Sequence, residues 1–491
     1  MVESGFEDRV LLVTADDPVT GRQLGQLARR GASTLRGYDA VVYAGENHPL
    51  LPVALLAAAC AGVPFVPVNY RLEDAQLNGL IARHANALVL ADDKTVERIV
   101  GSVTAFDEWL AFPGEAPFND APLNEDDVAV VLYTSGTTAE PKAALLRHRH
   151  LMAYLLGSVE FGSADEDEAM LVAVPPYHIA GIANMLSNLF AGRRLVYLRS
   201  FEPQLWLDTV RAERITNAMV VPTMLSRIVD VVNDTALNDT ALNDTALNDT
   251  ALNDTAGVPS LRTLSYGGAK VSERVLIEAL RLFPDTGFVN AYGLTETAST
   301  IAVLGPEDHR AAVESADPGV RRRLSSAGQV LPTVEIEIRD GIIFLRGEQV
   351  AGEYATGSVL DSDGWFCTRD SGWVDAGGYL FIDGRDDDTI IRGGENIAPA
   401  EIEQVLLAHL AVAEACVVGP PDDEWGQRIV AVVVLRDGAS VTADELRDRV
   451  RAELRSSKTP EEIVFRSELP HTETGKLLRR IVLQQLEPPF R

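Results

Sequence analysis

Between Tyr133 and His150 the chain reads YTSGTTAEPKAALLRHRH. Thr134, Ser135, Gly136, Thr137, Thr138 and Lys142 put hydroxyls, backbone N–H groups and one ammonium into a few residues. Such a loop can converge its donors on phosphate oxygens, and a nearby lysine adds a compact positive charge. The spacing is not that of a Walker loop, which needs G-x-x-x-x-G-K-[ST]. From composition alone a plain surface turn is the better reading. The stretch follows the apolar run VAVVLY and precedes an Ala/Leu-rich segment that reads as a possible helix.

Length and charge limit what such a loop can serve. The chain has 491 residues, too many for one core, and 46% are apolar. Its formal net charge of −29 repels nucleic-acid backbones and anionic lipid, so no nucleic-acid partner is expected. A nucleotide in a local cleft remains compatible with that charge. Cys60, Cys367 and Cys416 are odd in number and far apart, which suggests neither a disulfide framework nor a zinc site. The first residues lack the basic and apolar regions of a secretion signal. The apolar run PLLPVALLAAACAGVPFVPV is broken by Pro52, Gly62, Pro64 and Pro67. It reads as a buried helix entering a buried strand, not as a membrane span. A cytoplasmic enzyme is the expectation.

The elements that must position the loop follow an α/β rhythm. Short β-rich runs alternate with Ala/Leu-rich stretches to about residue 220 and continue through NAMVVP, LRTLSYGG and GFVNAYG. After residue 325, VEIEIRDGIIFLRG and GWFCTRDSGWVDAGGYLFIDGR predict antiparallel strands joined by Gly/Asp turns. From about Asp386 the chain reads helix, ACVVG, RIVAVVVL, helix, EIVF. The expected fold is α/β: a large N-terminal lobe of several subdomains, 1–385, with a small antiparallel β region, then a small α+β domain, 386–491. Residues 233–256 repeat an NDTAL unit whose period fits neither helix nor strand. It reads as an expanded surface loop or a frayed helix extension.

Five segments in order resemble the acyl-adenylate-forming superfamily, in its AMP-binding acyl-CoA synthetase branch. YTSGTTAEPK resembles the phosphate loop and PPYHIAG the acid-pocket segment. SYGGAK and NAYGLTETA resemble the adenine and magnesium segments. TRDSGWVDAGGYLFIDGRDDDTIIRGGENIAPAEIE resembles the ribose and hinge segment, and PHTETGKLLRR the catalytic-lysine loop. They span residues 133 to 480, and the resemblance covers nearly the whole chain.

The resemblance implies ATP-dependent activation of a carboxylic acid, fatty or aryl, to acyl-AMP, followed by thioester formation with coenzyme A. A carrier protein, an amine or unusual small oxyacid chemistry is the alternative acceptor. It implies that Thr134 to Thr138 and Lys142 hold phosphates, and that Gly268, Ala269, Asn290, Ala291, Tyr292 and Ile382 surround the nucleotide. Tyr292 would lie against the adenine. Asp370 would accept the ribose hydroxyls, since an ionised carboxylate offers paired acceptors, with Arg385 adding donors. Thr295 would touch the α-phosphate and Glu296 would hold Mg²⁺, a hard cation suited to a carboxylate. His178 and Gly267 would line the acid pocket, and Gly394 and Trp425 the acceptor path. Asp387 would be the hinge between the lobes. Lys476 would bridge the attacking carboxylate and the α-phosphate as charge develops. The sequence departs from the pattern at Ala139 and Ala143, where glycine is usual, and at Arg369, where a small residue is usual. Taken without the resemblance, Tyr292 reads as core, His178 as a core histidine, and Glu296, Lys476 and the Asp386–Asp388 run as solvated charges.

Overall fold

The computed structural model describes residues 5–14, 17–111, 122, 124–134, 141–243, 257–385, 388–392, 395–422, 425–454, 456–472 and 477–486. Its larger part is built on two sheets, one of thirteen strands and one of eight among the described residues.

In the thirteen-stranded sheet five neighbours run parallel, in the order Arg194–Tyr197, Ala169–Val172, Asn217–Val220, Thr263–Gly267 and Gly287–Leu294. The Ala169–Val172 strand is buried throughout, as a parallel strand covered on both faces by helices should be. From Ser299–Leu304 onward the pairings turn antiparallel. The hairpin Glu335–Arg339/Ile342–Arg346 turns at Asp340 and Gly341, both at positive φ (51° and 80°). The strands expected as a small antiparallel region pair antiparallel and extend this same sheet. The Gly287–Leu294/Ser299–Leu304 pairing makes the join, because it reverses direction without breaking the hydrogen-bond ladder.

The eight-stranded sheet holds the parallel strands Ala40–Ala44, Phe65–Pro67 and Ala87–Ala91. The apolar 49–68 run forms the helix Leu50–Ala61 and then the Phe65–Pro67 strand, as its prolines and Gly62 suggested; Gly62 ends the helix at φ 72°. One expectation needs correction. The segment after the phosphate-loop stretch is a strand, Lys142–Arg147, paired antiparallel with Val128–Thr134, and the helix begins only at His148. Alternate burial at Ala144 and Leu146 explains the misreading: a half-buried Ala/Leu strand and a short helix look alike in composition. Glu353–Tyr354 adds to the outer edge of this hairpin.

The described residues from Ile390 onward pack around apolar clusters of their own. Ile402, Leu406, Val417 and Val433 centre one face of a three-stranded sheet, and Cys416, Val432 and Val482 the other. The helix Pro222–Asn243 runs into the first NDTAL units, matching the helix-extension reading, and residues 244–256 lie outside the described residues.

Candidate active site

The parallel strands all end on one edge of the sheet, the edge where open α/β folds place ligands. Gly267 and Gly268 follow the Thr263–Gly267 strand, and Asn290 to Leu294 finish its neighbour. His178 follows the Ala169–Val172 strand. A single edge therefore gathers the adenine, magnesium and acid-pocket candidates.

Gly267 pairs with Ala291 across that edge. A Cβ on Gly267 would sit 2.4 Å from the Ala291 carbonyl oxygen, so only glycine fits there. Gly268 turns the chain at φ 87° and, with Ala269, leads it away from the strand. Asn290 donates from Nδ2 to the Ser326 carbonyl at 3.0 Å, which fixes its amide at the sheet edge.

Tyr292, Asp370 and Arg385 form one cluster. The Tyr292 hydroxyl donates to Asp370 Oδ2 at 2.5 Å, and Arg385 Nε lies 2.9 Å from Oδ1. Asp370 and Arg385 face each other in register on neighbouring antiparallel strands. Asp370 is buried, and burial followed by this carboxylate's charge pushes the Tyr292 phenol well above its ordinary pKa. A carboxylate carries about four lone-pair sites, so each oxygen can take a further donor. Arg369, just before it, is exposed and held at φ 60°.

Thr295 and Glu296 sit in a one-turn 3₁₀ helix, Thr295–Thr297, directly after the Gly287–Leu294 strand. Two non-glycine residues beyond it take positive φ, Ala298 at 53° and Ser299 at 110°. Such strain persists only where the surroundings impose it. Here buried Thr297 donates to the Ser299 carbonyl at 2.8 Å, and buried Gln349 donates to the Thr297 and Thr300 carbonyls at 3.1 and 2.8 Å. The Glu296 carbonyl accepts from the backbone N–H of Ala351 and Gly352 at 2.8 and 3.1 Å.

The Glu296 side chain meets a residue that motif reading missed. The Tyr354 hydroxyl donates to Glu296 Oε1, and the Lys142 ammonium lies 5.7 Å from the centroid of the Tyr354 ring. Burial first, then the Glu296 charge, raises the Tyr354 phenol far above its ordinary pKa, so it stays a donor. Tyr354 pairs with Ala144 on the strand that begins at Lys142. Arg147 locks that pairing through a two-pronged contact with Glu353, Nε to Oε2 at 2.8 Å and the terminal nitrogen to Oε1 at 2.6 Å. Thr134 faces Lys142 in register. The two ends of the phosphate-loop stretch thus stand beside the Glu296 turn. Ser135, Gly136, Thr137 and Thr138 lie outside the described residues, as do Asp387, Gly394 and Lys476.

His178 caps the helix Ile179–Ala191 without a side-chain capping bond, and its ring lies 4.6 Å from that of Tyr177. Burial, with the Arg71 charge adding to it, lowers its pKa to about 4, so the imidazole is neutral at physiological pH. His150 is buried and accepts at Nδ1 from the Arg147 backbone at 3.2 Å. Ile382 lines a cleft of about 480 Å³ bounded by Lys270, Arg322 and Asp383 on one side and Glu401 and Gln404 on the other. Trp425 is 43% exposed, with the Arg392 guanidinium over its ring, 4.6 Å from the centroid.

No group of three or more His, Cys, Asp or Glu side chains forms a metal cage among the described residues. Mg²⁺ does not need one, because it keeps several waters and binds through one or two carboxylates plus substrate phosphates. Glu296, half-buried and oriented by Tyr354, fits that donor set. No helix among the described residues is long and apolar enough to cross a membrane.

Known proteins match this chain over most of its length. The family described as AMP-binding enzyme matches residues 3–355, and the AMP-binding enzyme C-terminal domain matches residues 401–476. The chain is 31% identical to an indoleacetate–CoA ligase of Aromatoleum aromaticum, over 94% of this chain and 92% of that one. It is 31% identical to a fatty acid–[acyl-carrier-protein] ligase of Streptomyces coeruleorubidus, over 94% and 90%. The solved o-succinylbenzoate CoA synthetase of Bacillus subtilis, in complex with its acyl-adenylate intermediate, superposes with a TM-score of 0.80 at 28% identity. That superposition covers 98% of this chain and 96% of that one.

Proposed function

The chain belongs to the AMP-binding enzyme family, and from that premise we propose that it is an AMP-forming acid–CoA ligase acting on an aryl or fatty carboxylic acid. The carboxylate attacks the α-phosphate of ATP, giving acyl-AMP and pyrophosphate. The thiol of coenzyme A then attacks the acyl carbon and AMP leaves. The observation that carries this reading is the meeting of Lys142, Tyr354 and Glu296, which sets the end of the phosphate-loop stretch against the magnesium candidate.

The roles follow the family resemblance, with charge in support and, for the described residues, geometry. Thr134, Ser135, Gly136, Thr137, Thr138 and Lys142 grip the outer phosphates. Asp370, held between Tyr292 and Arg385, accepts from the ribose hydroxyls through its remaining lone pairs. The clearance at Gly267 and the turn at Gly268 and Ala269 let backbone approach the nucleotide, with Asn290, Ala291 and Ile382 beside the base. Magnesium, when bound, neutralises phosphate charge; Glu296 would hold it, with Thr295 at the α-phosphate. Lys476 supplies the ammonium that offsets charge as two anions are brought together, so positioning and electrostatics do most of the catalysis. A neutral His178 suits a pocket for an apolar or aromatic acid. We place the division of the chain between 385 and 386, with Asp387 as the hinge and Gly394 and Trp425 along the acceptor path. A cytoplasmic location suits three scattered cysteines and substrates such as ATP and CoA.

Pyrophosphate release over a panel of aryl, fatty and amino acids, with and without CoA, tests the reading. Acid-dependent release with consumption of free CoA is expected. Release that never consumes CoA but acylates a carrier protein would favour the second reading, which the Streptomyces relative supports.

A further inference from the structure

Arg479 stands three residues after Lys476 and opens the helix Arg479–Leu486. No role above uses it. Its guanidinium makes a two-pronged contact with Glu403, one terminal nitrogen on Oε1 and the other donating to Oε2 at 2.7 Å. Its Nε lies 3.3 Å from Asp388 Oδ2, and Nη1 donates to the Val417 carbonyl at 3.2 Å. Cys416 Sγ is 3.9 Å away. Burial pushes that thiol up to about 12, so it stays neutral and the guanidinium pairs with the two carboxylates.

Four segments meet at this one side chain. Asp388 directly follows Asp387, the hinge candidate. Glu403 is buried in the helix Pro399–Leu407. Val417 belongs to Val412–Val418, the edge strand of the three-stranded sheet, and Arg479 itself opens the fourth segment. An edge strand presents backbone groups that must be paired from outside the sheet. Here Glu403 Oε1 accepts from the Val417 N–H at 2.7 Å while Arg479 donates to the Val417 carbonyl. The ion pair therefore covers the edge where a further strand would lie.

The flanks of the Lys476 loop are tied to the same strand. His471 and Leu477 form an antiparallel bridge, and the Leu478 N–H donates to the Pro470 carbonyl at 2.9 Å. On one side of that bridge His471 Nε2 lies 3.3 Å from Glu414 of the edge strand. On the other side Arg479, two residues past Leu477, reaches Val417. A buried ion pair often adds little net stability, because desolvation offsets its attraction; what it supplies best is a fixed geometry. A planar fork bound along two edges holds one orientation. An ammonium that acts through its charge needs such a mount, since a displacement of about 1 Å can cost roughly a hundredfold in rate.

We propose that Arg479 is a positioning residue for Lys476. By joining Asp388, Glu403 and Val417 it makes the segment after the hinge and the base of the lysine loop one rigid unit, so that rotation at the hinge carries the ammonium to a fixed place. The proposal rests on the reading of Lys476 as the ammonium of the adenylation step.

Arg479→Lys keeps the charge and removes the fork. Glu403→Gln keeps an acceptor for the Val417 N–H and removes the ionic partner. Both are compared with wild type, with melting curves to confirm folding, on the acid that gives the most pyrophosphate release in the panel above and on its synthetic acyl-AMP. Acid-dependent pyrophosphate release is expected to fall about tenfold or more in both, in kcat and not in the KM for ATP. Thioester formation from supplied acyl-AMP and CoA stays at the wild-type rate. Adding Arg479→Lys to Lys476→Ala slows release no further than Lys476→Ala alone, because one residue acts through the other. Wild-type release by both variants, equal loss of both half-reactions, or a further loss in the double variant would overturn the proposal. Full release by Lys476→Ala would instead remove the reading beneath it, whatever Arg479→Lys does.

Discussion

The Tyr354 hydroxyl donates a hydrogen bond to Glu296 Oε1 while the Tyr354 ring lies 5.7 Å from the Lys142 ammonium. One side chain therefore touches the residue assigned to the metal and the residue assigned to the outer phosphates. The edge strand Glu353–Tyr354 makes this possible, since Arg147 and Glu353 pin it to the strand that starts at Lys142.

Tyr354→Phe keeps the ring beneath Lys142 and removes the donor to Glu296. A hydrogen bond to a charged group contributes about 1.5–3 kcal/mol, so acid-dependent pyrophosphate release should fall about tenfold or more. The half-saturating Mg²⁺ concentration should shift with it, a readout that a purely structural tyrosine would not move. A wild-type rate and Mg²⁺ dependence would remove Tyr354 from this role.

Asp370→Asn keeps the shape of the side chain and removes its charge. Arg385 then loses its ionic partner, and the nucleotide loses a strong acceptor. The Kd for ATP, measured by calorimetry, is expected to rise about tenfold. Unaltered ATP affinity in a folded variant would show that this carboxylate does not meet the ribose.

Gly267→Ala places a methyl 2.4 Å from the Ala291 carbonyl oxygen, in a parallel pairing that cannot slide apart without moving Gly268. Overpacking of this kind costs about 1–3 kcal/mol. A lowered Tm together with impaired ATP binding is expected. An unchanged Tm would mean that the strands separate there without penalty.

Folding stability should decline on mild acidification, before ordinary carboxylates titrate. Burial lowers His150 and His178 to about 4 from 6.5, and lowers His48, His84, His148 and His309 in the same direction. Between those limits the unfolded chain binds more protons, so stability rises with pH; it is lost as pH falls from 6.5 toward 4. Melting temperatures at pH 7.5, 6 and 5 check this, and a flat profile down to pH 5 would contradict it. The rate profile should likewise show no inflection near 6.5 from His178.

Those neutral histidines also mark where the sequence is readable and where it is not. The order of strands and helices followed from alternating apolar runs and Gly/Pro punctuation, and the Leu50–Ala61 helix ends at Gly62 as its pattern implied. The strand Lys142–Arg147 did not, because six residues of Ala, Leu, Lys and Arg carry no decisive period. Asp370 and Arg385 were legible as chemistry, and their register as antiparallel partners belongs to the fold. Tyr354 carried no motif signal in the reading above. Its role arises from edge-strand pairing between residues 144 and 354, a contact no local spacing reveals.

The reaction itself is tested most directly by supplying a free substrate acid labelled with ¹⁸O in its carboxylate and analysing the nucleotide product by mass spectrometry. Attack of the carboxylate on the α-phosphate delivers one labelled oxygen to AMP once the thioester has formed, and that is the result this account predicts. Label recovered in inorganic phosphate with ADP as the nucleotide product, or thioester formed with no label in AMP, would contradict it.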